Sequence, residues 1–368
     1  MGRPSISPLF LLTTAATALN TVYFKCMMNS YRSEPGSEEP HDYAVFVSVF
    51  DILLWAVLMS AVARAGGWSV SSVHFGRRNL LRTAGADQLC TLLATVGAAH
   101  VPGQAQVLLN QSVLPVTMIM SLALGRRYSA REVFGAMLVL AGATAVAGLS
   151  PLAAPPEETS EALQMGVLIF SLAQVAAAGA GIVKEDLLQE ARANAKGSEG
   201  HEPMEDPIAL GVAVAWLRVP LGIAMALAMR RGEGTVLAEF RDGWTCFLGG
   251  RPRPGDTGCD AAGRTTLLSV ALYAAQTLLG LRLTQRGSAT LRSIAAVTAV
   301  PLAQFLFTSE SVMTDAGAEA YSRGSALGLA LCLSGFSVYL SGQQRRAPAL
   351  PTSKVVAVAQ PEGEGANF

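Results

Sequence analysis

The pattern of hydrophobic and polar positions divides the chain into long apolar stretches separated by short polar connections. A helix needs about 20 apolar residues to cross the roughly 30 Å hydrocarbon layer of a bilayer. Ten stretches come near that length with few charges, at positions 7–28, 44–63, 80–99, 104–124, 132–149, 164–183, 207–229, 265–281, 288–308 and 324–340. This pattern predicts an all-α polytopic membrane protein with about ten transmembrane helices.

The charges between these stretches predict an orientation. Arginines such as Arg77, Arg126 and Arg282 lie in every second connection, whereas the alternate connections are short or acidic. Cytoplasmic loops of membrane proteins carry an excess of Lys and Arg, so both termini are expected to be cytosolic. The long connection between the seventh and eighth stretches also carries arginines and disagrees, but long loops contribute little to orientation.

An internal repeat relates the fifth stretch to the tenth. "RYSAREVFGAMLVLAG" (127–142) and "AYSRGSALGLALCLSG" (320–335) align without a gap, so that four residues of the first segment, Tyr128, Ser129, Gly135 and Gly142, match Tyr321, Ser322, Gly328 and Gly335. Two halves of five helices each would enter the membrane from opposite sides. Inverted repeats of this kind are typical of secondary transporters that bind substrate between the halves.

The repeat predicts the following organisation of the chain. The first five-helix half is 1–150, a linker occupies 151–163, and the second half is 164–342 with a cysteine-bearing loop at 230–264. The segment 343–368 is rich in Pro, Gly and Glu and is expected to be a disordered cytosolic tail.

Composition agrees with a membrane protein and excludes several functions. Hydrophobic residues make up 51% of the chain and charged residues 15%, against about 25% charged in soluble domains. A formal net charge of zero gives no indication of nucleic-acid binding. The chain has no H-E-x-x-H, G-x-x-x-x-G-K or G-x-S-x-G motif, so neither an enzyme nor a cofactor is predicted.

The fourth stretch contains Asn110, Gln111 and Pro115 in its interior. Amides in hydrocarbon are costly unless they are paired, so they either face a water-filled cavity or bond to neighbouring helices. Consecutive helical residues point about 100° apart, so the two amides cannot both face a cavity squarely. Pro115 is expected to bend the helix and to free a carbonyl one turn earlier.

Charged residues inside the stretches are the strongest candidates for a binding site, because a charge in the membrane interior costs roughly 3 kcal/mol or more. Asp51 lies in the second stretch, Asp87 and Gln88 in the third, and Arg218 in the seventh. They predict a cavity in which Asp51 and Asp87 are candidates for proton coupling. The alternative is a static Asp–Arg pair that holds helices together.

Four segments of the chain carry a family resemblance: "QVLLNQSVLPVTMIMSLALGRRYS" (106–129), "IVKE" (182–185), "ALNTVYFK" (18–25) and "GWTCFLGGRPRPGDTGCDAA" (243–262). They resemble segments of the chloroquine-resistance-transporter-like family within the drug/metabolite transporter superfamily. The resemblance implies a carrier of organic solutes in a vacuolar or plastid-type membrane. It also implies substrate-selecting positions near the end of the first helix, here Asn20 and Thr21.

The remaining polar candidates for the cavity are Gln174, Gln276 and Gln304. Each alone is more often a packing residue than a ligand. Cys246 and Cys259 lie in the long loop, where an oxidising lumen would permit a disulfide; two free thiols are the alternative. No metal site is predicted, since no histidine lies near them.

These observations predict a secondary transporter that moves small organic solutes such as peptides, amino acids or thiols by alternating access, with proton coupling as a further expectation. A nucleotide-sugar carrier and a non-transporting membrane scaffold are the alternatives. The expected partners are a small-molecule solute and the lipid bilayer, with a monomer or homodimer as the assembly. The expected location is an intracellular membrane, vacuolar or another endomembrane, with a plastid as the alternative.

Overall fold

The computed structural model describes residues 6–32, 43–67, 76–153, 160–195, 205–229, 236–253, 256–286, 289–313 and 319–346. Within these ranges the chain is helical and contains no strand. The helices are α1 (Ile6–Ser30), α2 (Ala44–Ala65), α3 (Arg77–His100), α4 (Gly103–Asn110), α5 (Val113–Ala123), α6 (Ala130–Ala153), α7 (Ser160–Ala195), α8 (Glu205–Met229), α9 (Val236–Phe247), α10 (Cys259–Arg286), α11 (Ala289–Phe307) and α12 (Arg323–Arg346).

Each of the ten predicted stretches overlaps a helix, and the fourth overlaps both α4 and α5. In the described part of the chain, six segments are long and apolar enough to cross a membrane: Ala44–Ala65, Gly103–Ala123, Glu161–Glu185, Ile208–Ala228, Cys259–Leu283 and Arg323–Gln343. The described part of the chain is therefore all-helical and has the span lengths and hydropathy of a polytopic membrane protein. The count of ten spans remains a prediction.

Several element boundaries differ from those predicted. α7 begins at Ser160, inside the predicted linker, and α12 continues to Arg346, inside the predicted tail. The predicted cysteine-bearing loop contains α9 and the start of α10. Residues 154–159 and 347–368 lie outside the described part of the chain.

α6 and α12 pack closely against each other across the two predicted halves. A Cβ atom on Gly135 would lie 2.5 Å from the backbone nitrogen of Tyr339, and one on Gly142 would lie 2.7 Å from the carbonyl of Gly328. Gly335 in turn would meet the carbonyl of Gly135 at 2.6 Å. Glycines allow helix backbones to approach this closely. We call the contact of Gly135, Gly142, Gly328 and Gly335 the glycine seam.

The outer surface of the helices is apolar. Large hydrophobic side chains such as Leu12, Ile119, Phe134 and Phe305 are more than half exposed. Soluble monomers rarely expose extended apolar surface of this kind. This surface suits contact with lipid, while the polar and charged residues discussed below lie between the helices.

Candidate substrate cavity

The fourth predicted span is interrupted where its sequence places the amides and the proline. α4 ends at Asn110 and α5 begins at Val113. Pro115 has no amide hydrogen to donate to the carbonyl of Gln111, four positions earlier. That carbonyl instead accepts a hydrogen bond from the amide of Leu114 at 3.2 Å. Pro115 interrupts the regular hydrogen bonding of the helix, but the carbonyl of Gln111, which was expected to be free, accepts a bond from Leu114.

Four of the predicted cavity amides bond to one another between helices. Asn110 Oδ1 accepts a hydrogen bond from Gln174 Nε2 on α7 at 3.0 Å. Asn20 Nδ2 on α1 donates to Gln276 Oε1 on α10 at 2.9 Å. Each bond therefore joins a helix of the predicted first half to a helix of the predicted second half.

Two further candidates bond within their own helices. Gln111 Nε2 donates to the carbonyl of Val107 at 3.2 Å, and Thr21 Oγ1 donates to the carbonyl of Thr17 at 3.0 Å. Asn110 and its neighbour Gln111 thus have different partners, in keeping with their different directions around the helix. The side chains of Gln111 and Thr21 are half-buried, so each keeps part of its surface exposed.

A cluster of charged side chains lies where α3 packs against α7 and α8. Asp87 on α3 forms an ion pair with Lys184 near the end of the predicted sixth span, with 2.6 Å between Oδ2 and Nζ. The side chain of Asp87 is 13% exposed and that of Lys184 is 40% exposed. The structure thus gives Asp87 a partner that the sequence did not assign to it.

Arg218 is buried on α8, with 5% of its surface exposed. Its Nη2 donates a hydrogen bond to the hydroxyl of Thr91 on α3, whereas its Nε has no hydrogen-bond partner. No described carboxylate lies within ion-pairing distance of this guanidinium, although Asp51 is near enough to interact with it electrostatically. The static Asp–Arg pair considered as an alternative is therefore absent from the described side chains.

Asp51 on α2 is half-buried and makes no hydrogen bond or ion pair with another described residue. It forms no ion pair with Arg218, although the two charges are near enough to interact electrostatically. A carboxylate in this position can accept a proton or a cationic group without first breaking a bond. This property distinguishes Asp51 from Asp87, whose carboxylate is already neutralised by Lys184.

Gln88 is fully buried between α3 and α8, and neither atom of its amide group has a hydrogen-bond partner. Gly222 makes room for it, since a Cβ atom there would lie 2.7 Å from Nε2 of Gln88. Gln88 and Thr91 are one turn apart on α3, while Gly222 and Arg218 are one turn apart on α8. The unbonded amide therefore lies one turn along the same interface from the unbonded Nε of Arg218.

A second polar group lies at the start of α4. The carboxylate of Glu319 accepts hydrogen bonds from the amides of Gly103 at 2.6 Å and Gln104 at 2.9 Å. Gln304 Nε2 on α11 donates to the carbonyl of Gln104 at 2.7 Å. The two bonds to Glu319 satisfy helix N-terminal amides that would otherwise lack a partner. They also join the predicted halves at this end of the molecule.

A cavity of about 620 Å³ adjoins this second group. Gln304, Thr308 and Glu319 line it together with apolar residues, including the aromatic rings of Phe305 and Tyr321. It contains none of the charged residues of the cluster around Arg218. Of the predicted cavity residues, only Gln304 lines this cavity.

The loop after α8 is organised by a disulfide. Cys246 at the end of α9 is bonded to Cys259 at the start of α10, and both are buried. Nearby, the hydroxyl of Tyr43 donates a hydrogen bond to Asp256 Oδ2 at 2.8 Å. Burial raises the pKa of Tyr43 above its usual value, and the bond to Asp256 raises it further, so the phenol keeps its proton. The loop is thereby attached to the beginning of α2.

Comparison with known proteins identifies the family. The family model described as "CRT-like, chloroquine-resistance transporter-like" matches residues 6–339, which is nearly the whole chain. The chain belongs to the chloroquine-resistance transporter-like family. The family is one of membrane transporters, in agreement with the helical fold and the lipid-facing surface described above.

Curated relatives of this transporter-family chain come from an apicomplexan and a plant. The chain is 23% identical over 355 residues to the chloroquine resistance transporter of Toxoplasma gondii, covering 92% of this chain and 38% of that protein. It is 25% identical over 230 residues to the chloroplastic protein CLT3 of Arabidopsis thaliana, covering 60% of this chain and 48% of that protein. It is 23% identical over 305 residues to the chloroplastic protein CLT1 of the same plant, covering 80% of this chain and 64% of that protein. The chain thus spans less than two thirds of the length of each.

Sequence reasoning missed three contributors to the interior of this chloroquine-resistance transporter-like protein. Thr91 bonds Arg218, Lys184 pairs with Asp87, and Glu319 caps α4. Lys184 could have been found from its place in "IVKE", and Glu319 from the acidic connection before α12. Thr91 carries no signal of its own, because a threonine in a membrane helix usually bonds to its own backbone.

We expect the Asp87–Lys184 pair to contribute on the order of 1 kcal/mol to the stability of this family member, a value discounted for the partial exposure of Lys184. Asp87→Lys and Lys184→Asp should each lower the thermal unfolding midpoint in detergent. The charge-swapped double variant, Asp87→Lys with Lys184→Asp, should recover most of the loss, and a double-mutant cycle measures this coupling.

The matched control for this prediction is the Arg126–Glu185 pair, which also ends on α7 but has side chains 36% and 49% exposed. Its removal should change stability by less than about 0.5 kcal/mol. A swapped variant of Asp87 and Lys184 that loses as much as the two single variants added together would show that the pair has no coupling energy.

Proposed function

We propose that this protein is a secondary transporter that moves small organic solutes by alternating access between two inverted five-helix halves. The observation that carries the proposal is the presence of two charged side chains, Asp51 and Arg218, that lie between membrane helices without forming an ion pair with each other. Unpaired charge in a membrane interior is costly and marks substrate or ion pathways. Membership of a transporter family supports the same reading.

The glycine seam supports the inverted arrangement of the halves. The repeat matches Gly135 with Gly328 and Gly142 with Gly335. Exchanging the two halves therefore turns the contact between Gly135 and Gly335 into a contact between Gly328 and Gly142. Both contacts are present. This pair of contacts is what two repeats related by a two-fold axis would give.

The starts of the same two helices support the repeat independently. Ser129 Oγ accepts a hydrogen bond from the amide of Glu132 at the start of α6. Ser322 Oγ accepts one from the amide of Ser325 at the start of α12, at 2.9 Å. The repeat aligns Ser129 with Ser322, so matched residues perform the same helix-capping role.

Helix pairing across the molecule is consistent with the same exchange. The repeat relates the first span (α1) to the sixth (α7) and the third (α3) to the eighth (α10). Exchanging the halves therefore turns the helix pair α1–α10 into the pair α7–α3, and the helices of both pairs pack against each other. The amide bonds between Asn20 and Gln276 and between Asn110 and Gln174 join the halves. In an alternating-access cycle, contacts of this type between halves would break and re-form.

The substrate class follows from family membership and from the charges. We propose peptides, amino acids or thiols such as glutathione, transported together with protons taken up by Asp51. A nucleotide-sugar carrier is the second candidate, but a diphosphate carries more negative charge than the single guanidinium of Arg218 would balance beside Asp51. We place the protein in a vacuolar, other endomembrane or plastid membrane, with both termini in the cytosol, as a monomer or homodimer.

The test is uptake into liposomes that contain the purified protein. Labelled glutathione, short peptides, basic amino acids and UDP-sugars are supplied with and without a pH gradient. Saturable uptake of one of the first three, accelerated by the gradient, is expected. Coupling free energies between ligands are about 1–3 kcal/mol, so Asp51→Asn should reduce the effect of the gradient about 5- to 150-fold.

Glu310→Gln removes an exposed carboxylate and serves as the matched control that keeps the response to the gradient. Gradient-driven uptake that survives Asp51→Asn would exclude Asp51 as the proton acceptor. Saturable uptake of UDP-sugars alone would favour the second candidate, and the absence of uptake of any solute by a folded protein would favour a scaffold.

A further inference from the structure

The interface of α3 and α8 contains hydrogen-bonding groups that have no partner. Arg218 Nε and both amide atoms of Gln88 are buried and unbonded, although both residues belong to the described part of the chain. A buried polar group without a partner costs about 1–3 kcal/mol, and more when it is charged. Such a group in a native protein requires an explanation, of which an absent ligand is one.

The unbonded groups are arranged along one line of the interface. Arg218 and Gly222 follow each other by one turn on α8, and Thr91 and Gln88 face them in the opposite order on α3. A larger residue at Gly222 would displace the amide of Gln88. The absence of a side chain at Gly222 therefore makes room for the amide of Gln88 one turn along the interface from Arg218.

The chemistry of these groups selects the kind of ligand they can hold. A guanidinium has only donors, and an amide nitrogen adds two more, so the complementary group is an acceptor with negative charge. A carboxylate matches the planar donor set of arginine. The described carboxylates near Arg218 do not supply it, since Asp87 is paired with Lys184 and Asp51 forms no ion pair with Arg218.

The local charge favours a singly charged group. Arg218 and Lys184 contribute two positive charges, and Asp51 and Asp87 contribute two negative charges, so the cluster is neutral. One carboxylate adds a single negative charge, which protonation of Asp51 or a cationic group on the same ligand can balance. A diphosphate would leave a larger uncompensated charge in a low-dielectric interior.

We propose that Arg218 and Gln88 form a subsite that binds a carboxylate group of the transported solute. This inference rests on the proposed transport function and specifies which side chains select the solute. Asp51, whose charge interacts with that of Arg218, can then balance a cationic group on the same solute. Solutes without a carboxylate are accordingly poor ligands, even when they have the same size and apolar groups.

The test measures binding before transport. Purified protein is titrated with three matched pairs, each a carboxylate and its carboxylate-free counterpart: leucine and leucinamide, glycyl-leucine and glycyl-leucinamide, and glutathione and its diethyl ester. Ligand-induced thermal stabilisation gives the affinities. Hydrogen bonds to charged groups contribute about 1.5–3 kcal/mol, so at least one acid should bind about 10- to 100-fold more tightly than its partner.

Two variants separate binding from folding. Gln88→Leu replaces an unbonded buried amide with an apolar side chain, so the unfolding midpoint should stay the same or rise while the preference for the acid falls about tenfold. Arg218→Lys keeps the charge but loses the planar donor set, and should also reduce the preference. Arg127→Lys, at an exposed arginine, is the matched control and should leave both quantities unchanged.

Two outcomes would overturn the proposal. One is equal affinity for the acid and its counterpart in every pair, and the other is an unchanged preference in the folded Gln88→Leu and Arg218→Lys variants. Binding of inorganic phosphate in place of the acids would also overturn it. These results can be distinguished from failure of the transport proposal, in which the protein takes up no solute at all, whatever its charge.

Discussion

A Gly135→Val variant is expected to lose most of its folded population in detergent. The first atom of the new side chain would lie 2.5 Å from the backbone nitrogen of Tyr339 and 2.6 Å from the carbonyl of Gly335. Backbone atoms of a packed helix cannot rotate away as the end of a flexible side chain can, so α6 and α12 would have to separate. Overpacking of this kind costs about 3 kcal/mol or more.

The control for this experiment is Gly181→Val on α7, where an added Cβ meets no atom within 4 Å. It introduces the same side chain into an apolar helix and should leave the unfolding midpoint nearly unchanged. Thermal unfolding and size-exclusion chromatography of the two variants in the same detergent make the comparison. Equal midpoints for both variants would mean that the glycine seam is not a close contact.

Removal of the disulfide is expected to have the second-largest effect. The bond between Cys246 and Cys259 closes a loop with a sequence separation of 13. Cross-linking a loop of this length restricts the unfolded chain and stabilises the fold by about 3 kcal/mol. The Cys246→Ser, Cys259→Ser double variant should therefore unfold at a clearly lower temperature than the parent protein under non-reducing conditions.

Reductant provides the control for this prediction. It should lower the unfolding midpoint of the parent protein towards that of the double variant, and it should have no effect on the double variant itself. Both proteins contain the three cysteines outside the disulfide, Cys26, Cys90 and Cys332, so these cannot account for a difference. A double variant as stable as the parent would show that the Tyr43–Asp256 hydrogen bond and the Arg253–Asp242 ion pair suffice to hold the loop.

Much of the helical architecture could be predicted from the sequence, because the length of an apolar stretch is a local property. The interruption between α4 and α5 was also foreseeable from Pro115, since the missing amide hydrogen acts on a residue only four positions away. α9 was missed because its 12 residues are too few and too polar to resemble a membrane span. Its apolar side becomes informative only once the aromatic rings it packs against, such as Phe50, are known.

The candidate site was less predictable because its partners are distant in sequence. Asn110 and Gln174 are separated by 64 positions, and Asn20 and Gln276 by 256. The sequence suggested that Arg218 would face an aspartate, but only the packing of α8 on α3 shows that it bonds Thr91 instead. Residue type identifies which groups need a partner in the membrane, whereas three-dimensional packing decides which partner they have.

The glycine seam also limits the ways in which the molecule can change shape. Its contacts at Gly135 and Gly142 are two turns apart on α6, and each meets the backbone of α12 directly. Two helices that interlock at two levels cannot slide along each other, because both contacts would have to break at once. Rotation of the two helices about the line that joins these two contacts would break neither contact. The seam therefore provides a fixed axis, and the largest displacements are expected in the helices farthest from α6 and α12.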